Sequence, residues 1–318
     1  MPNKDIYIFA GDSYMIKQSL IQLRQSLDIQ YEQINTTYYE RMPKADELYE
    51  ACVAVPFMSD IRLVAVGDCS VLTAKGSAEE AKKVAAFIDK IPHTTALALC
   101  TDNALDKRRA LYKQVKNCGQ IKEFTQPSLA ECISFVIKQA LKQGAAISKA
   151  TAAELVALIG FDYYALENEI AKLAVYSGYN EITAKHLTEC ASKSLEYNIF
   201  EIHGLFLNKQ AAKAQVLLTD ILRSERPEAV VGLFAKKIRD MYKVRTMLDA
   251  GFSIAKVTKM ANVTSFVVQI LKRECKAFTQ EELRNALVAL ADLDYAVKSG
   301  EKEAALALTE TLVRIYKL

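Results

Sequence analysis

Lys17 stands in A-G-D-S-Y-M-I-K-Q-S, just after an apolar run, where a phosphate-binding loop would begin. Such a loop needs G-x-x-x-x-G-K-[ST], so that backbone N–H groups and the lysine together cradle phosphate oxygens. Here no second glycine precedes Lys17, no Ser or Thr directly follows it, and Asp12 would set negative charge beside the phosphates. Gly11 alone also cannot make the dinucleotide fingerprint G-x-G-x-x-G. Asp68 and Asp102 follow apolar runs, as a magnesium-binding acid would. Without a phosphate loop to hold a nucleotide, both read as caps or turn residues.

Nucleophilic and metal chemistry fare no better. The chain has no G-x-S-x-G elbow and no Cys–His pair that sequence alone brings together. Glu167 and Glu169 look like paired carboxylates, but on a helix they lie about 200° apart and point away from each other. The seven cysteines (Cys52, Cys69, Cys100, Cys118, Cys132, Cys190 and Cys275) show no C-x-x-C spacing, and His93, His186 and His203 are far apart. That argues against a disulfide framework and a zinc site, and for small buried thiols in a reducing compartment. No catalytic residue, cofactor or metal is therefore expected. Two basic groups remain: Lys107, Arg108 and Arg109 with Lys113 and Lys116, and Lys236, Lys237 and Arg239 with Lys243 and Arg245. Each could touch a phosphate backbone. Charge runs of this kind usually mean only a solvated helix face, here with Asp106 or Asp240 nearby.

One stretch differs in kind. From Cys52 the chain reads C-V-A-V-P-F-M-S-D-I-R-L-V-A-V-G. Arg62 to Val66 is a short apolar run, the pattern of a strand buried on both faces. Before it, Val55, Pro56, Phe57 and Met58 occupy a connection, and connections usually run over the surface. The tip is either a plug for the chain's own core or a contact made for another protein.

The elements that would position these residues follow from periodicity. Strands are expected at Asp5–Ala10, Ile29–Ile34, Arg62–Val66, Thr95–Cys100 and Gln120–Phe124. Helices are expected between them, the last a basic helix over Lys107–Asn117 closed by Gly119. Strands alternating with helices predict a parallel three-layer α/β domain. Beyond Pro127 only helical periodicity remains. Leu129, Cys132, Ile133, Val136, Ile137, Ala140 and Leu141 form one apolar stripe. Asp162 caps a helix with Leu166, Ile170 and Leu173 inward and Glu167, Glu169 and Lys172 outward. Pro227 opens a long helix ending at Gly251, and T-Q-E-E at Thr279 is a capping box. Such helices pack as a bundle. At 318 residues, two or three domains are expected. With 41 basic against 38 acidic residues the net charge is only +3, which excludes a binder of nucleic acid by bulk charge but not a local basic face. No apolar run approaches a membrane span and the N-terminus lacks a signal peptide's apolar core, so a cytoplasmic protein with no membrane partner is expected.

Taken in order, several segments resemble the delta subunit of the bacterial DNA polymerase III clamp loader. They are I-Y-I-F-A-G-D, V-P-F-M-S-D-I-R-L-V-A-V, D-K-R-R-A-L-Y-K, Y-A-L-E-N-E-I-A-K-L with I-T shortly after, and N-I-F-E-I. The resemblance implies an AAA+-like α/β domain over 1–126, a small helical lid domain over 127–194 and a helical collar domain over 195–318. It implies a subunit that neither binds nor hydrolyses ATP and carries no arginine finger. Such a subunit docks on the sliding clamp (the beta subunit) and opens the ring for loading on primed DNA. Through the collar it assembles with the ATPase subunits and delta-prime, and it meets primer-template DNA through the complex. The family's clamp contact is a hydrophobic pair, often Leu-Phe, in a loop before a buried strand. Pro56 and Phe57 match it here, which leaves Phe57, with Met58 and Val55 beside it, as the anchor. Two other readings stand beside this one: an ATP-dependent AAA+ enzyme with a degenerate phosphate site, and a DNA-binding adaptor acting through the two basic groups.

Overall fold

A computed structural model describes residues 5–261 and 265–317. The chain divides into two compact units, Met1–Pro127 and Ser128–Leu318. In the first, β1 (Ile6–Gly11) leads into α1 (Ser13–Ser26), whose N-cap Asp12 accepts the Met15 N–H on its carboxylate. A single turn, α2 (Glu32–Asn35), precedes β2 (Thr36–Arg41), and α3 (Ala45–Val53) precedes β3 (Arg62–Asp68). Then come α4 (Ala78–Ile88), β4 (Thr95–Thr101), α5 (Ala110–Cys118) and β5 (Gln120–Phe124). The strands lie in the order β2-β3-β4-β1-β5, every neighbouring pair parallel.

Alternation of side chains across the sheet sorts the core into two layers. Ile6, Ile8, Val64, Val66, Leu97 and Leu99 pack one face against α3, α4 and α5. Phe9, Leu63, Ala65, Ala96, Ala98 and Cys100 turn to the other face, where Ile16 and Leu23 of α1 cover them. The central strands are thus buried on both sides, which is why β3 and β4 are near-continuous apolar runs. This is an AAA+-like α/β architecture.

Two expected elements sit elsewhere. The strand expected over Ile29–Ile34 is not one. Tyr31 there has φ +50°, α2 follows, and the strand is Thr36–Arg41. β2 lies at the sheet's edge and is largely exposed, so its T-T-Y-Y-E-R sequence lacks the apolar signal that marks its neighbours. The helix expected from Lys107 begins only at Ala110, because Lys107–Arg109 belong to a turn around Asp106. The Arg109 N–H donates to the Asp106 carbonyl oxygen, and the Arg108 N–H to its carboxylate.

Among its described residues the second unit is helical apart from a two-strand pairing. α6 (Leu129–Lys142), opened by a Ser128/Glu131 capping box, is followed by β6 (Ala146–Ile147) and α7 (Lys149–Ile159). α8 (Tyr163–Tyr176), capped by Asp162, leads to β7 (Glu181–Ile182), which pairs with β6, and to α9 (Ala184–Cys190). Among the described residues seven α-helices follow: α10 (Leu195–Leu207), α11 (Ala211–Ser224), α12 (Pro227–Asp249), α13 (Ile254–Ala261), α14 (Ser265–Glu274), α15 (Gln280–Lys298) and α16 (Ala304–Tyr316). One apolar core, including Phe206, Phe234, Met241, Leu290 and Leu312, runs through them. Pro227 is the first residue of α12, and Thr279 with Glu282 forms the capping box of α15, as their sequence positions predict.

Two side chains depart from the expected faces. Leu141 is exposed rather than part of the α6 stripe, although Gln139 and Ala140 in the same turn are buried. Glu169 is buried rather than outward: its carboxylate accepts the Ser192 N–H at 2.7 Å and pairs with Lys172. It thereby satisfies the chain where α9 gives way to α10. Among the described residues no helix is long and apolar enough to cross a membrane, and no group of three or more His, Cys, Asp or Glu could hold a metal ion.

Candidate functional site

The connection between α3 and β3 carries the apolar tip. Val55 is 87% exposed, Met58 70% and Phe57 50%, while Pro56 is partly covered. Phe57 is therefore not a plug for the core. Its backbone is held from below by Asn35, the last residue of α2, which is only 1% exposed. Asn35 Oδ1 accepts the Phe57 N–H at 2.7 Å, and Asn35 Nδ2 donates to the Phe57 carbonyl at 2.8 Å and to the Gln30 carbonyl at 2.6 Å. The Gln30 N–H donates to Ser59 Oγ at 3.2 Å, and that hydroxyl donates to the Ile61 carbonyl at 2.9 Å. The Phe57 ring meets Tyr31 edge-on, with centroids 5.8 Å apart.

A buried amide satisfied across 22 residues of chain ties two segments into one shape. Tyr31 at φ +50° and Met58 at φ +45° adopt the left-handed conformation that such residues take only where surroundings impose it. Neither Asn35 nor Tyr31 was legible as part of a site from sequence. Both lie at or beside the segment whose strand pattern is misleading, and the burial of Asn35 leaves no mark in the sequence.

At the end of β1 the chain has no room for a loop. Gly11 has φ +108°, and a Cβ there would lie 1.9 Å from the Phe124 carbonyl oxygen, which also accepts the Asp12 N–H at 3.1 Å. Asp12 alone separates strand from helix and places its carboxylate over the first turn of α1. A carboxylate there occupies the position at which helix amides would meet an anion. Asp68 ends β3 exposed, and the carboxylate of exposed Asp102 accepts from the Asn103 side-chain amide at 2.6 Å.

The basic residues separate into exposed and structural ones. Lys107 pairs with Glu123 at 2.8 Å, and Arg108, almost fully exposed, pairs with Asp106 at 2.9 Å. Arg109, in contrast, is a structural residue: its Nη2 donates to the Thr73 carbonyl at 2.9 Å and the Gly76 carbonyl at 2.7 Å, stitching a turn. On α12, Lys236 pairs with Glu196 at 2.7 Å and Arg239 is exposed. Lys237 is not available to any nucleic acid. It is 4% exposed, its Nζ pairs with Glu274 at 2.5 Å and lies 3.8 Å from the Phe200 ring centre.

That pair belongs to a buried polar cluster in the helical core. His203 Nε2 lies 3.6 Å from the Glu274 carboxylate, and His203 Nδ1 shares a hydrogen bond with the Tyr316 hydroxyl. Phe206 stacks on Tyr316, and Phe278 lies against both Tyr316 and His203. Burial, with the Lys237 ammonium nearby, holds the His203 imidazole well below the usual histidine range. Burial also lowers the Lys237 ammonium, against the opposing pull of Glu274, and raises the Tyr316 phenol. The folded chain refuses a proton that the unfolded chain accepts near pH 6.5. Stability from His203 is therefore complete above that pH and lost as pH falls below it. The midpoint of thermal unfolding should fall between pH 7 and pH 5, and His203→Gln should flatten that slope.

The family model for "DNA polymerase III, delta subunit" matches residues 7–125, and that for "DNA polymerase III delta subunit, C-terminal domain" matches residues 196–315. The chain is 24% identical to the DNA polymerase III subunit delta of Bacillus subtilis, over 98% of this chain and 92% of that protein. It is 23% identical to a probable DNA polymerase III subunit delta of Aquifex aeolicus, over 57% of this chain and 53% of that one. Among solved structures, the Bacillus subtilis DNA clamp loader delta protein matches with a TM-score of 0.69 at 24% identity, covering 99% of this chain and 96% of that one. With both of the family's models matching in order and a full-length relative beside them, the chain belongs to the DNA polymerase III delta subunit family.

Proposed function

We propose that this chain is the clamp-loader subunit that binds the ring-shaped sliding clamp and opens it for loading on primed DNA. The carrying observation is the exposed Val55–Met58 tip, seated on a buried Asn35, in a chain of this family. An aromatic side chain on a rigid support is the usual form of an interface anchor, and a thioether beside it adapts to an irregular pocket. Val55 and Pro56 complete the docking tip.

The subunit works without hydrolysing ATP. In support, the β1–α1 joint is the single residue Asp12, whose carboxylate lies where a phosphate would. Its domains are 1–126 for clamp contact, 127–194 as a helical lid and 195–318 as the collar that joins the ATPase subunits and delta-prime. Lys107, Arg108, Lys236 and Arg239 are available to neighbouring subunits or to primer-template DNA within the cytoplasmic complex.

The test is direct. The purified chain, mixed with purified clamp in the absence of nucleotide, forms a complex and releases clamp rings from nicked circular DNA. Failure to bind the clamp, or binding that requires ATP, would overturn the proposal.

A further inference from the structure

The apolar surface around Phe57 is larger than its own loop. Tyr31 comes from the segment before α2, is 57% exposed, and puts its ring edge-on to Phe57. Ile34, one residue before Asn35, is also exposed. Asn35 ties these segments together, with both polar atoms of its buried amide bonded to the Phe57 peptide. Exposed aromatic rings held in fixed register are features of a binding surface, because a monomer gains nothing from leaving them in water.

We propose that the docking face is bipartite: Tyr31 is a second anchor that enters the partner's apolar cleft alongside Phe57, and Asn35 is the positioning residue that fixes Phe57 for it. The proposal rests on the tip being the clamp-docking element. The cleft must then be apolar and admit two rings whose centres are 5.8 Å apart. Offset, edge-on rings present one ring's edge and the other's face together, so the cleft reads a shape that a single phenyl group does not supply. Asn35 acts through the backbone only, since its side chain is buried and cannot touch a partner. Removing it frees the Phe57 peptide, and the loop must then be ordered during binding.

The experiment measures the dissociation constant for purified clamp and the unfolding midpoint for Tyr31→Ala, Phe57→Ala, Asn35→Ala and the Asn35→Ala/Phe57→Ala pair. Tyr31→Ala should weaken binding about five- to tenfold with an unchanged midpoint, since an exposed ring adds little to stability. Asn35→Ala should weaken binding about tenfold in the native sequence but not further once Phe57 is gone, because the two then act as one unit. Tyr31→Ala within twofold of the native chain would overturn the second anchor, and independent effects of Asn35 and Phe57 would overturn the positioning role. Tyr31 carries its test on an exposed side chain, whatever the Asn35 variants do to folding. If Phe57→Ala itself binds within twofold of the native chain, the clamp-docking reading of the tip falls, and this proposal with it.

Discussion

Replacing Glu274 with alanine is expected to destabilise the helical unit by about 3–5 kcal/mol, the loss that follows when one partner of a buried ion pair is removed. The unfolding midpoint should drop on the order of 10 °C for a unit of this size. Glu274 is the acid that pairs with Lys237, whose ammonium also faces the Phe200 ring, and it lies beside His203 as well. Without it Lys237 must either remain charged in an apolar core or release its proton, and burial already lowers its affinity for that proton. The deficit should therefore shrink as pH rises, because the neutral amine is then easier to form. The double replacement Lys237→Met with Glu274→Leu should recover most of the loss, since packed apolar side chains replace a buried pair at little net change. Thermal unfolding of the three chains at pH 7 and pH 9 checks this. A Glu274→Ala midpoint within 2 °C of the native one, a shift of at most about 1 kcal/mol, would mean that the pair is better solvated than its burial indicates.

Phe57→Ala should weaken clamp binding by about 2 kcal/mol, on the order of 30-fold in Kd, with little change in stability. Half of the residue is already covered in the free chain, so only its exposed half is newly removed from water on docking. Fully burying a Phe contributes about 1.5–3 kcal/mol, and the central place of an anchor in a dry pocket brings the partial burial here up to that range. Because Asn35 holds the Phe57 peptide before binding, little ordering entropy opposes the contact. Met58→Ala should have a smaller effect, since a flexible thioether loses more freedom on burial. Titration of labelled chain with purified clamp measures all three. A Phe57→Ala affinity within twofold of the native chain, at an unchanged unfolding midpoint, would remove the tip's assigned role.

Much of this molecule can be read from its residues one segment at a time. β3, β4, α1, the Pro227 start of α12 and the Thr279 capping box all appear where local pattern puts them. Each is specified by burial on two faces or by a cap, both written into neighbouring residues. β2 escaped because an edge strand has one neighbour and an exposed face, and so no apolar pattern to display. Glu169 and Lys237 escaped for a different reason. A charge buried with a partner from another segment, the Ser192 N–H for Glu169 and Glu274 for Lys237, looks, in sequence, like any solvated helix residue.

The same division runs through the candidate site. The amino-acid sequence by itself determined that an apolar tip, Val55 to Met58, precedes a buried strand and that no phosphate loop follows β1, because both are contiguous patterns. Only the tertiary structure decided that Phe57 faces outward, that Asn35 grips its peptide and that Tyr31 stands beside it. Those relations join residues 22 or more positions apart. They depend on where the fold brings the end of α2 against the α3–β3 connection, and no local preference encodes that distance.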